Sequence, residues 1–124
     1  MLKKRIIPKF LIRGGRLVKG VRFHDNFREA GNPVSTAKVY DSYGVDELMF
    51  VDIDATNNKV CVSGDIIEKV SEEVFMPFTV GGGINSLEQI AILLRSGADK
   101  VSITSEAALN PSFIRSAASR FGAQ

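Results

Sequence analysis

Gly81-Gly82-Gly83 stands between a short apolar run, Pro77-Phe78-Thr79-Val80, and a helical pattern opening near Asn85. Glycines let backbone amides approach an oxyanion, and the N-terminus of a following helix adds partial positive charge, so this turn can seat a phosphate. A glycine-rich turn after a strand is equally ordinary turn chemistry. Ser102-Ile103-Thr104-Ser105 places hydroxyls at the end of another expected strand. Adjacent parallel strands would set these two loops side by side, which favours the phosphate reading. Asp52 and Asp54 lie two apart, so on a strand their carboxylates share a face. Such a pair could move protons or hold a ribose or an amine; for Asp54 a helix cap or a solvated loop is the simpler expectation. Arg5, Glu47 and Lys100 fall at the N-terminal ends of three expected strands. There they form either a compensated charge ring, acting as gate or plug, or a solvated surface cluster. Lys19 and Arg22 could close over an anion, although surface exposure is the default for both. His24 is expected in solvent and Cys61 as a small apolar filler. One histidine and one cysteine leave no His-based or Cys-rich metal site and no internal disulfide. No cofactor is expected.

The elements that must position these residues read as follows. Residues 5–12 form a strand, with Pro8 weakening its start because proline removes a ladder donor. Residues 13–32 are polar and dotted with glycine, and read as a long loop. Asn32-Pro33 starts a helix, with Asn as cap and Pro at the first position, that stops at Gly44. Residues 47–53 are almost continuously apolar, as in a strand buried on both faces of a parallel sheet. A helix spans about 65–74, with Ile66, Ile67, Val70 and Val74 at helical spacing. Residues 77–80 form the third strand. Asn85 caps a third helix over 86–96, and 100–104 is the fourth strand. Asn110-Pro111 opens a last helix ending at Phe121-Gly122. The expected order is βαβαβαβα.

Composition sets the outer limits. The chain has 124 residues, 44% hydrophobic and 24% charged, as expected of one globular domain. A formal charge of +2 is too small to argue for nucleic acid. No apolar run approaches the ~20 residues of a membrane span, the N-terminal stretch lacks a signal-peptide core, and a cytoplasmic setting is expected. Alternating βα units give a parallel sheet, either an open doubly wound one or half of a (β/α)8 barrel. A half-barrel leaves a concave face and raw sheet edges uncovered. Two copies could close eight strands, so a homodimer or larger even oligomer is expected. Gly44-Val45-Asp46 recurs as Gly97-Ala98-Asp99, and Asn32 recurs as Asn85 at the same offset. The pattern suggests a duplicated βαβα unit.

Several segments together resemble the cyclase subunit of imidazole glycerol phosphate synthase. They are Met1 to Pro8, Gly15-Arg16-Leu17-Val18-Lys19-Gly20, Asp46-Glu47-Leu48 with Phe50-Val51-Asp52-Ile53, Pro77 to Ile84, and Gly97 to Ser102. They follow the family's order and spacing but match only the N-terminal half of its barrel. The fold implied is α/β, a (βα)4 half of a TIM barrel, over residues 1–124. The resemblance implies a role in histidine biosynthesis, with ammonia from a glutaminase (amidotransferase) partner passing up the barrel to a phosphorylated ribonucleotide. It places Gly82, Gly83, Thr104 and Ser105 in the phosphate seat, with Thr104 in place of the usual Asn. It places Lys19 in a catalytic flexible loop and Asp52 in the active-site wall. Arg5, Glu47 and Lys100 match members of the ammonia gate, and Asp99 matches the glutaminase interface.

The sequence departs from that family at its first catalytic aspartate, where Leu11 stands and cannot accept a proton. Lys9 replaces a small residue one layer below. The second catalytic aspartate belongs to the half not matched. Weak or absent cyclase activity is therefore expected of the chain by itself. A paralogous branch, working with an amidotransferase on acetamidino surface sugars, also lacks the first aspartate and is the alternative. A non-catalytic half-barrel scaffold, truncated or designed, is the third.

Overall fold

Phe10 and Ile12, Leu48 and Phe50, and Phe78 and Val80 are all buried, while the residues between them are half-buried or exposed. That period of two assigns one face of each strand to a helix-covered core and the other to a concave face. The computed structural model describes residues 2–20, 27–55 and 62–124. Arg22, His24 and Cys61 lie outside them.

The described residues form β1 (Lys9–Arg13), β2 (Arg16–Lys19), β3 (Arg28–Gly31), α1 (Pro33–Ser42), β4 (Leu48–Asp52) and α2 (Gly64–Glu73). There follow β5 (Phe78–Gly81), α3 (Leu87–Arg95), β6 (Lys100–Ser102), α4 (Ser105–Leu109) and α5 (Pro111–Phe121). The sheet order is β3-β2-β1-β4-β5-β6. β1, β4, β5 and β6 run parallel, each joined to the next by a connection carrying a helix, which is the (βα)4 half of a TIM barrel. On the helix-covered side, Phe10, Phe50 and Phe78 stack edge to face, with centroids 5.4 and 5.9 Å apart. Tyr40 of α1 adds an edge contact to Phe10 at 5.1 Å. Full burial of side chains such as Phe50 and Leu48 contributes about 1.5–3 kcal/mol each.

The expected loop at 13–32 instead carries two antiparallel strands. Gly14 and Gly15 both have positive φ, 56° and 75°, the conformation of a two-residue hairpin turn whose twist matches its strands. Ile12 then pairs with Leu17 and Arg13 with Arg16. The hairpin extends the sheet beyond β1, so that edge is not bare. β1 also starts later than expected, at Lys9, because Pro8 has no amide to give the ladder. Its carbonyl still accepts from Met49 N–H at 2.9 Å.

One further expectation is corrected at a helix end. The cap of α3 is Ser86, not Asn85: Ser86 Oγ accepts the Gln89 N–H at 3.2 Å, and Gln89 reaches back to the Ser86 N–H, a capping box. Asn32 does cap α1, its Oδ1 accepting from Val34 and Ser35 N–H at 2.9 and 3.2 Å. Asn110 precedes α5, but its Oδ1 accepts from the Ser112 hydroxyl at 2.6 Å rather than from a backbone amide.

The Gly-x-Asp segments do the same work twice. Gly44 and Gly97 end helices at φ 69° and 113°. Asp46 Oδ2 then accepts the Ile6 N–H at 2.7 Å, and Asp99 Oδ2 accepts the Phe78 N–H at 2.9 Å. Each aspartate thus clasps the start of the preceding parallel strand. The first clasp spans 40 residues and the second 21; the 19-residue difference (40 − 21) is close to the length of the hairpin insertion.

Candidate functional site

The C-terminal ends of β4, β5 and β6 open into one cavity of ≈ 760 Å³. Gly82 and Gly83 enter it from the β5 turn, Thr104 and Ser105 from the β6 turn, and Asp52 and Asp54 from the β4 end. Register explains the convergence: Val51 pairs with Gly81, and Gly81 with Ser102, so the three strands finish at one level. The two loops are therefore neighbours, as parallel adjacency requires.

Gly82 and Gly83 are glycine for a steric reason independent of any ligand. Both have positive φ, 105° and 65°. A Cβ on Gly82 would stand 2.8 Å from Asp52 N, and one on Gly83 2.6 Å from the Ala55 Cβ, distances that real contacts do not allow. The turn is pressed against the backbone at the end of β4. Among the described residues, no acceptor takes the backbone N–H of Gly82, Gly83 or Ile84, whereas the Asn85 and Ser86 amides are already held by Gln89 Oε1.

Asp52 and Asp54 part company, because the strand ends at Asp52 and the period of two is lost beyond it. Asp52 Oδ1 accepts the N–H of Asp54 at 2.9 Å and of Ala55 at 3.0 Å, shaping the turn. Burial pushes its carboxyl above the ordinary range, against the lowering effect of those two amides. Asp54 Oδ2 accepts from Arg13 Nε at 2.8 Å. Asp54 is therefore not an unpaired loop carboxylate.

Arg13 also lies over the Phe27 ring, 5.0 Å from its centroid. It therefore links the hairpin to the end of β4, and both Arg13 and Phe27 line the cavity. Sequence reasoning passed over Arg13, although it shares a strand face with Lys9 and Leu11. Glu106 and Leu109 of α4 also line the cavity, and α4 itself carried no signal distinct from a loop. Lys19, by contrast, sits exposed on β2 opposite Arg28 and is not brought to the cavity wall among the described residues.

At the other end of the sheet, Arg5, Glu47 and Lys100 come together. Glu47 is 5% exposed and is the one buried charged residue among those described. Its Oε1 accepts from the Arg5 guanidinium, and Lys100 Nζ reaches Oε2 at 3.3 Å. A solvated surface cluster would not bury its acid this deeply. Asp99 lies exposed at this same end, with one oxygen committed to the Phe78 amide.

Among the described residues, no group of three or more His, Cys, Asp or Glu could hold a metal, and no helix is long and apolar enough to cross a membrane.

A parallel βα sheet with one ligand-sized cavity over its C-terminal strand ends is the arrangement of barrel-type α/β proteins. Within that class, residues 5–124 match the family model described as "Histidine biosynthesis protein", and the chain belongs to that family. It is 52% identical over 124 residues to the imidazole glycerol phosphate synthase subunit HisF of Synechococcus sp., covering all of this chain and 48% of that protein. It is 48% identical over 124 residues to the protein of the same name from Alkaliphilus metalliredigens, covering 49% of it. The chain thus spans about half the length of these relatives.

Proposed function

We propose that residues 1–124 form one half-barrel unit of the imidazole glycerol phosphate synthase cyclase type. In this reading Gly82, Gly83, Thr104 and Ser105 bind the phosphate of a small phosphorylated ligand. The observation that carries it is the meeting of both loops in one cavity, with the amides of Gly82, Gly83 and Ile84 untaken among the described residues. Asp52 holds the β4 end against the glycine turn and forms part of the cavity wall; Lys19 acts only if the hairpin moves toward the ligand. Arg5, Glu47 and Lys100 gate ammonia delivered by a glutaminase partner that docks at the end bearing Asp99. Support for the gate is the closed cluster on buried Glu47 together with the family membership.

Leu11 limits the chemistry. It is half-buried on the concave face, in register with Val51, and offers no proton acceptor. A general acid–base group contributes about 10²–10⁴-fold, so this unit alone carries weak or no cyclase activity. Leu11 equally suits the paralogous reading, an ammonia-conducting partner of a sugar-modifying amidotransferase. In either reading the half-buried concave residues Leu11, Met49 and Val51 are covered by a second copy when the unit is alone, giving an even oligomer.

Phosphorus NMR titration with inorganic phosphate tests the seat. Ser105→Asp and Thr104→Asp add repelling charge at exposed positions and should abolish binding without disturbing the fold. A Gly82 variant cannot serve, since its Cβ would displace the β4 end. Unchanged affinity in both Asp variants refutes the site. Copurification with an amidotransferase, without phosphate affinity, favours the paralogous reading.

A further inference from the structure

Among the described residues, the cations on the concave side of the sheet are matched by acids, with one exception. Arg5 and Lys100 share Glu47, and Arg13 pairs with Asp54. Lys9 lies on the same face of β1 as Arg13, lines the same cavity, and has no carboxylate within salt-bridge distance among the described residues. None of the cavity's three acids, Asp52, Asp54 and Glu106, pairs with it among the described residues. Asp54 is held by Arg13, and Asp52 is turned to two backbone amides.

We propose that Lys9 is a second anion contact of this cavity, so that the ligand carries an acidic group besides its phosphate. The inference rests on the phosphate seat proposed above. Register fixes the separation. Lys9 pairs with Met49, and Met49 with Thr79, three residues below Gly82. Two strand spacings and three residues of rise place the Lys9 backbone about 14 Å from the glycine turn. On a concave sheet the inward side chains converge, so a lysine reaching about 6 Å from its backbone and a phosphate standing about 3–4 Å off the amides shorten that separation. The gap left suits a small organic phosphate whose second group, a carboxylate or another phosphate, lies a few bonds away. Met49 and Val51, which line the cavity beside Lys9, add apolar contacts for the connecting carbons. The class expected is a phosphorylated acid or bisphosphate of sugar size rather than a neutral sugar phosphate.

Calorimetry on the full chain with two probes of equal phosphate chemistry, 3-phosphoglycerate and glycerol 3-phosphate, separates the contributions. The wild type should favour phosphoglycerate by about 10-fold, the order expected for one charge-assisted contact in a partly open site. Lys9→Met should lose that preference while binding glycerol phosphate within about 2-fold of wild type, and Lys9→Arg should keep it. Equal affinity of the wild type for both probes, or a preference that survives Lys9→Met, overturns the assignment of Lys9 and leaves the phosphate seat standing. Failure of both probes to bind the wild type overturns the seat and this inference with it.

Discussion

The cluster on Glu47 is asymmetric, and the asymmetry makes a quantitative prediction. The acid's side chain is 7% exposed, whereas Arg5 and Lys100 are 60% and 46% exposed. Removing a partner from a buried ion pair costs about 3–5 kcal/mol because the remaining charge is stranded out of water. Glu47→Gln strands nothing of that kind, since both cations rehydrate, and the amide oxygen still accepts one donor. Each lost interaction then falls near the range of exposed pairs, up to about 1 kcal/mol. The expected total is about 1 kcal/mol, or a fall in Tm of about 3–5 °C for a domain of this size. Arg5→Met with Lys100→Met does the reverse and leaves the buried carboxylate unanswered. Its expected cost is about 3 kcal/mol, the low end of the buried range, because water can follow the vacated side chains. Urea denaturation followed by circular dichroism at neutral pH and low salt measures both. If Glu47→Gln costs as much as the double cation variant, burial of the acid is not what organises the cluster.

The two repeat glycines should respond unequally to alanine. Gly44→Ala meets no atom within 4 Å and should cost only the left-handed backbone penalty, about 1–2 kcal/mol. Gly97→Ala would put its Cβ 2.6 Å from Ser71 Oγ and should cost about 1–3 kcal/mol more, part of it recovered by adding Ser71→Gly; equal costs in thermal melts contradict this packing. Burial raises the Asp52 carboxyl above its ordinary range, so the native state holds that proton more tightly than the unfolded chain does. The stability it contributes is present at low pH and is lost as pH rises through the native value. Asp52→Asn keeps an acceptor for the Asp54 and Ala55 amides and should flatten the change in urea midpoint as pH rises from about 4 to 7; an unaltered profile tells against burial as the dominant effect.

Much of the fold was legible in local spacing. Alternation in β1, near-continuous apolarity in β4, Asn32-Pro33 and the Gly-x-Asp stops each follow from short-range sterics and hydrogen bonding, which a few neighbouring residues decide. The meeting of Gly82-Gly83 with Thr104-Ser105 follows as well, because parallel strands joined by helices must present their C-terminal loops together. The hairpin was misread although Gly14-Gly15 lies between alternating residues, since the polar stretch beyond it hid the second and third strands. What only tertiary structure decided was the choice of partner. Arg13 stands 41 residues from Asp54, Glu47 stands 53 from Lys100, and Asp52 turns to its own loop instead of sharing a face with Asp54. Sequence period tells which way a side chain points. Which charge it meets there depends on strand order, register and the point where a strand ends, and those are set by the packing of the whole sheet.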